Sequence, residues 1–404
     1  MRPDAERQAI ASPRPRRDEP SSRAGRRPWG EWLTGYLFVL PATLVIGVFG
    51  LFPIAYAIFM SLHRWRVRRG AFVGLEQFER TLGDGVGFAL FLGGILAIAL
   101  GHWLWTSAFT GRGTTAERVG RVAGALALMA AGIAVALGFG MMQQTGDGRF
   151  IAGLQRTFYY GLISVPVQIA LALVLAALLF QPIRARGLYR MLFFLPYVTP
   201  AVAGAAVFRA IFSPREERLA NTVLDVLGFA PQRWLFEPRP IGELLFGEFL
   251  ARYGVEVSGF WAGPSLALFV IIVFGIWTYV GYNAVIFLAG LGAIPTELYE
   301  AAEIDGASGP QRFWGITVPL LAPVTFYLTV LGFIGTFQAF THLYVMRETA
   351  VRGAVDTASL VIFDTFYALN DFGLAATQSL VLFAVILAVT LLQQRVFGRR
   401  ALRA

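Results

Sequence analysis

The chain has 404 residues, 56% of them hydrophobic and only 15% charged, with a net charge of +9 and a mean hydropathy of +0.61. Soluble domains carry roughly a quarter charged residues, so this balance excludes an ordinary water-soluble domain and points to lipid as the solvent. Cysteine is absent, which excludes disulfides, thiolate metal sites and Cys nucleophiles, and His63, His102 and His342 are too scattered in sequence to suggest a metal cluster.

In chain order, residues 1–28 come first, with eight Arg among Pro, Ser and acidic residues. They read as a disordered, solvated cytoplasmic flank rather than a nucleic-acid-binding arm, and no small-residue cleavage site marks a signal peptide. A helix needs roughly 20 apolar residues to cross the hydrocarbon core. Stretches free of Asp, Glu and Arg place eight spans near 33–61, 86–107, 121–142, 158–181, 191–212, 264–289, 319–344 and 373–394. The fifth must run past Arg209, whose side chain would snorkel to the outer interface. Pro41, Pro53, Pro166, Pro196, Pro200 and Pro323 lie inside these segments. Spans accept Pro and Gly when neighbouring helices satisfy the freed backbone groups, which predicts a packed all-α bundle over residues 29–398.

With eight spans both termini share a side, and alternate loops carry 19 Arg on the terminal side against 15 opposite. The positive-inside rule therefore predicts cytoplasmic termini, including the tail 399–404. Arg64, Arg66, Arg68 and Arg69 run against that bias; Arg184, Arg186, Arg190, Arg395, Arg399, Arg400 and Arg403 support it. Residues 213–263 form a long extracytoplasmic segment predicted to carry short helices. Residues 290–318 form a long cytoplasmic one.

The inner segment reads as two helices joined by a tight turn. Pro295-Thr296 is a start signal, with Thr296 the expected cap of a helix over 297–305. Gly306 supplies a left-handed C-terminal residue, and Ser308 with Gln311 forms a capping box for the second helix. Glu297, Glu300, Glu303 and Asp305 face a single Arg312. Such a helix, with Ala301 and Ala302 between its charges, offers a close-fitting negative surface to a basic partner; the residues alone leave a solvated amphipathic loop equally open.

Glu300-Ala301-Ala302, three residues, Gly306, nine residues, Ile316, one residue, Val318-Pro319 resembles the EAA motif of binding-protein-dependent ABC importer permeases, with Val318 where the family has Leu. The fuller string EAAEIDGA, followed by Phe313 and Trp314, is similar to the sugar-importing, maltose-transporter branch. Phe193 through Pro196, Gly332 through Phe340, Asn221 with Leu224 and Gly228, and Leu288 through Leu291 resemble further family segments, so the likeness covers most of residues 32–398. The resemblance implies a type I ABC importer permease fold. Its coupling helix, in loop 295–318, would seat Glu300, Ala301, Ala302, Asp305, Gly306 and Ala307 in a cleft of a cytoplasmic ATPase. It further implies a second permease subunit, a homodimeric ATPase holding ATP-Mg, and an extracytoplasmic solute-binding protein delivering a sugar-like solute in a bacterial or archaeal inner membrane. No cofactor would be bound by this chain itself, and no Walker lysine is present, as it cannot be without Lys. Two departures stand out. The stretch Met346–Leu360 lacks the family's Gly-Gly-Pro turn, and residues 86–142 form an inserted helical hairpin, either lipid-facing padding or a partner site.

Polar residues inside spans are pathway candidates because lipid offers them no partners. Tyr279, Tyr282 and Asn283 in span six, with Phe337, Gln338 and His342 in span seven, combine hydrogen-bonding groups with aromatic faces, as a sugar would require. The alternative is that Asn283 and Gln338 bond neighbouring helices. Gln168 and His102 read as structural, and Asp364 and Asp371 as residues of the outer loop or its membrane edge. A self-sufficient secondary transporter or channel would need ionisable groups deep in the spans, and a membrane enzyme a carboxylate or His cluster at one face; the sequence supplies neither pattern.

Overall fold

The computed structural model of the chain describes residues 29–107, 115–254 and 259–398; the predicted tails 1–28 and 399–404, and the side chain of His102, lie outside them. Two compact units divide the chain at Ala55/Tyr56. In the first, α1 (Trp29–Ile46) leads into a π-helical turn at Gly47–Leu51. From Trp32 onward its side chains are almost all exposed, Phe38 and Phe49 among them, as expected of a helix whose solvent is lipid. The helix α2 (Phe52–Ser61) crosses the division, and residues 32–61 are long and apolar enough to span a membrane.

The second unit opens with a feature the helical reading passed over. Strands β1 (His63–Trp65) and β2 (Arg69–Phe72) form an antiparallel hairpin, followed by α3 (Glu76–Leu82). Arg64 pairs with Glu76 at 2.5 Å, while Arg66 and Arg80 lie 3.7 and 3.8 Å from Asp371. Helices α4 (Gly85–Ser107) and α5 (Thr115–Thr145) are the predicted hairpin. Its contact seam is built from glycines: a Cβ on Gly138 would come within 2.5 Å of the Phe91 amide, and one on Gly94 within 2.8 Å of the Val135 amide. Lipid tails are as apolar as Leu, so helices in a bilayer associate by such close van der Waals packing rather than by hydrophobic drive.

Helix α6 (Gly148–Phe180) starts with Asp147, whose carboxylate accepts from the Arg149 and Phe150 amides. At 33 residues it runs about 50 Å, well beyond a hydrocarbon core of about 30 Å, so its Arg-bearing first turns project past the apolar layer. The predicted fifth span, 191–212, is not one helix. It breaks into α7 (Arg186–Val198) and α8 (Ala201–Ile211), which meet at 94°. Pro200 has no amide to continue the ladder and holds Thr199 extended at φ −66°, ψ 133°. The outer segment carries α9 (Leu219–Val226), a short turn at Trp234–Phe236 and α10 (Ile241–Ala251). Asn221 organises it, its Oδ1 accepting from Trp234 Nε1 (2.6 Å) and the Gln232 amide (3.0 Å).

Helix α11 (Leu266–Gly292) is the sixth span and forms the main packing partner of α6. The inner loop then folds as α12 (Thr296–Ile304), α13 (Gly309–Arg312), a π turn at Phe313–Thr317 and α14 (Val318–Leu320). The seventh span also departs from prediction. The helical stretch 309–320 bends by 62° into α15 (Ala322–Phe337), where Pro323 closes the start. The helix stops at Phe337 instead of reaching 344, and α16 (Thr341–Met346) follows as a separate turn. Helices α17 (Ala358–Tyr367) and α18 (Phe372–Gln393), with a π turn at Gln394–Gly398, complete the described residues, and Asp371 caps α18 through the Leu374 amide. Five of the described helices are long and apolar enough to cross alone, and eight crossings result if each of three bent pairs counts as one. The core lies where α6 meets α11 and α15, around Tyr160, Val165, Ala172, Phe274, Phe287 and Leu328.

Candidate functional site

The inner loop projects a short acidic helix held by its ends. Pro295, not Thr296, is the N-cap of α12; Thr296 is its first helical residue, and no side chain caps the start. Pro295 enters the helix at φ −58°, ψ 132°, and has no amide of its own to leave unpaired. The C-terminus closes as anticipated. Gly306 sits at φ +78°, its amide donates to Glu303 O (3.0 Å), and the Ala307 amide donates to Ala302 O (2.9 Å). These two bonds form a Schellman closure, which needs the left-handed residue that glycine alone adopts without cost.

Beyond the turn, Gln311 Oε1 accepts from the Ser308 amide (2.7 Å) and hydroxyl (2.9 Å). Two contacts tie the hairpin together: Arg312 to Glu303 (2.7 Å) and the Tyr299 hydroxyl to Thr317 Oγ1 (2.9 Å). Tyr299 and Glu303 thus lie on the side of α12 that meets the second half of the hairpin. The opposite side of α12, with Glu297, Glu300, Ala301 and Ile304, faces out at the i, i+3, i+4, i+7 positions of a helical stripe. No residue of α12 is buried; Ile304 is 87% exposed and the nearby Trp314 69%. Arg312 consumes Glu303, so Glu300, Glu297 and Asp305 remain as uncompensated negative charge among the described residues. Ala302 and Ala307 are half-buried in the turn, and Asp305 and Gly306 are exposed.

A second group of predicted residues lies on the long helix α11. Gly281 lets α7 press against α11 so closely that a Cβ there would overlap the Phe193 carbonyl oxygen. That approach sets Tyr197 of α7 on Tyr282, ring centroids 4.4 Å apart and nearly parallel, with Tyr279 at 5.8 Å edge-on. Tyr197 and Tyr279 are each about two-fifths exposed, so part of each side chain remains accessible. Sequence reasoning missed Tyr197, although it follows Pro196 directly in a segment already singled out. The structure does not join the other candidates to this face. Phe337 is 1% exposed and packs edge-on against Phe158 in the core at 5.1 Å, Asn283 is buried within α11, and Gln338 is exposed where α15 ends. His342 is buried and hydrogen-bonded to the Tyr160 hydroxyl at 2.8 Å.

At the other end of the bundle, a charge clamp stands in and beside the stretch Met346–Leu360, which lacks the Gly-Gly-Pro turn. Arg347 Nη2 reaches Asp356 at 2.6 Å and Asp364 at 2.7 Å, and Arg149 adds a 3.2 Å contact to Asp364. Arg156 donates to the Asp356 carbonyl, and Arg209 pairs with Glu348 instead of reaching outward alone. Burial disfavours the Asp364 carboxylate, yet the Arg347 hydrogen bonds outweigh it and hold Asp364 below the usual carboxylate range. The two carboxylates likewise raise Arg347 against the opposing effect of burial. Nearby, hydrogen bonds from Arg239 lower Glu237.

Residues 136–403 match the family described as the binding-protein-dependent transport system inner membrane component. The arabinooligosaccharides transport system permease protein AraP of Bacillus subtilis is 32% identical over 246 residues, covering 61% of this chain and 69% of that protein. The trehalose/maltose transport system permease protein MalF of Thermococcus litoralis is 26% identical over 364 residues, 90% of this chain and 92% of the relative. In fold, a chain of a bacterial alginate ABC transporter solved with an alginate pentasaccharide-bound periplasmic protein superposes with a TM-score of 0.59 at 16% identity, covering 93% of this chain and 98% of that one. With two thirds of its length inside the family match and the EAA string on an exposed hairpin, the chain belongs to the binding-protein-dependent transport system inner membrane component family.

Proposed function

We propose that this chain is one of two membrane-spanning subunits of an ATP-driven importer for a carbohydrate-like solute, delivered by an extracytoplasmic solute-binding protein. The sugar class rests on relatives that transport arabinooligosaccharides and trehalose/maltose and on the partly exposed Tyr197–Tyr279–Tyr282 face, whose rings suit stacking on a sugar. Both termini would lie in the cytoplasm of a bacterial or archaeal cell, and ATP-Mg would be bound by a separate ATPase pair.

The observation that carries this reading is the projecting acidic face of α12. Glu300 would meet a basic residue of the ATPase, Ala301 would allow close approach, and Ile304 would fill an apolar recess. Closure of the ATPase dimer would pull on α12, and the contacts Tyr299–Thr317 and Glu303–Arg312 would pass that movement into the helices leading to α15. The bundle would then rock between inward- and outward-open states. Glu300→Lys tests it. Uptake by cells should fall at least about tenfold, since opposed like charges in an interface cost several kcal/mol, while the amount of chain in the membrane is unchanged. Normal uptake and normal solute-stimulated ATP hydrolysis by that variant would overturn the assignment.

A further inference from the structure

Between Arg239 and Leu266 the chain leaves the bundle and returns to the same point. Pro240 and Ser265 form an antiparallel bridge, with the Ile241 amide donating to Pro264 O and the Leu266 amide to Arg239 O, both at 3.0 Å. Ser265 is also the N-cap of α11, accepting from the Leu268 amide. The excursion is therefore rooted at the first residue of a membrane span. A second tether holds it at a similar level. The Tyr159 hydroxyl donates to Phe260 O at 2.6 Å, and the two rings stack at 5.0 Å; Tyr159 stands near the start of the charge-free stretch of α6, residues 157–183.

The helix carried by this excursion, α10, has no fully buried side chain among its described residues. Its main packing within them is with the Gly259–Ala262 turn of the same excursion. At about 100° per residue, Leu245, Phe249 and Phe246 fall within one arc of about 100° on α10 and are 67, 57 and 55% exposed, and Tyr253, 71% exposed, follows in the turn that ends the helix. Glu243 lies outside that arc, and Arg252 is exposed beside Tyr253. Eleven residues make about 16 Å of helix, too short to cross a bilayer.

We propose that α10 is an interfacial anchor. Its Leu245–Phe246–Phe249 face rests in the lipid boundary on the side opposite the Glu300 hairpin, with the Tyr253 hydroxyl and Arg252 at the level of the headgroup phosphates. A helix rooted at the mouth of a span, apolar and aromatic on its uncovered side, fits the interfacial region, where aromatic rings with a polar edge are favoured. A soluble protein partner would need to reach down to that same level, and the Leu245–Phe246–Phe249 arc offers it no polar side chain.

The chain contains no cysteine, so single spin labels can be placed directly. Leu245→Cys, Phe249→Cys and the control Glu243→Cys are labelled in the full transporter assembly, in nanodiscs of neutral and anionic phospholipid. Collision with oxygen, which partitions into lipid, is compared with collision with a water-soluble nickel chelate. The oxygen-to-nickel ratio at 245 and 249 should exceed that at 243 at least about threefold, as for a helix with one face in the bilayer boundary. Equal ratios at all three sites would overturn the anchor. So would labels at 245 and 249 shielded from both reagents, or protected only after the solute-binding protein is added, which would make α10 a protein-docking helix. Phe246→Cys repeats the measurement should either core label impair assembly.

Discussion

Arg347 is the best-defined energetic centre of the outer loop, and its removal has a calculable consequence. The guanidinium is 6% exposed and faces Asp356, itself 5% exposed, at 2.6 Å. Arg347→Met keeps the volume but leaves that carboxylate buried without its cation. Breaking a buried pair from one side costs about 3–5 kcal/mol, because the remaining charge keeps its desolvation penalty. Asp364 retains Arg149 at 3.2 Å and is less buried, so Asp356 dominates and the lower end, about 3 kcal/mol, is expected. Arg209→Met is the control: that Arg is 46% exposed in its pair with Glu348, and exposed pairs contribute about 1 kcal/mol or less. Thermal unfolding of the purified chain in one fixed detergent should place Arg347→Met well below Arg209→Met. Adding Asp356→Asn should restore most of the loss, since removing both partners leaves no orphaned charge. The pH dependence has a defined sign. Asp364 is depressed in the folded state, so its contribution is full above about pH 4, the ordinary carboxylate value, and disappears as pH falls through the lower folded value. The Asp364 share of the gap between the wild type and Arg347→Met should hold from neutrality to about pH 4 and narrow below it. Equal losses for the two Arg variants, or a double variant worse than the single, would refute the clamp.

Four further outcomes are expected. Gly306→Ala forces a Cβ into φ +78° at about 1–2 kcal/mol, so solute-stimulated ATP hydrolysis should weaken while the chain still inserts; unchanged coupling would show that the turn need not be left-handed. Gly281→Ala would drive a methyl into the Phe193 carbonyl and should abolish recovery of folded chain, as read by gel filtration of detergent extracts. Tyr197→Ala and Tyr282→Ala each remove a partner from the stacked pair; the solute concentration for half-maximal uptake should rise several-fold, by the roughly 0.5–1.5 kcal/mol of an aromatic contact. Phe337→Leu should instead register as lost thermal stability.

What could be read from the residues alone was set by local chemistry. Apolar length marks a span because lipid satisfies no backbone group outside a helix, so the stretches long enough to cross were legible without any contact. Gly306 and the acids around Glu300 were legible for the same reason: a left-handed turn and an exposed helix end depend on neighbours within a few positions. The 94° break at Thr199–Pro200 had its proline in view, yet the angle depends on where α11 receives α7. Tertiary structure alone decided that Gly281 admits the Phe193 carbonyl and so brings Tyr197 to Tyr282, that Phe337 turns into the core, and that Arg347 gathers carboxylates 9 and 17 positions away. These are meetings of distant segments, and in a bilayer they are selected by which surfaces fit closely, a property no single stretch of sequence carries.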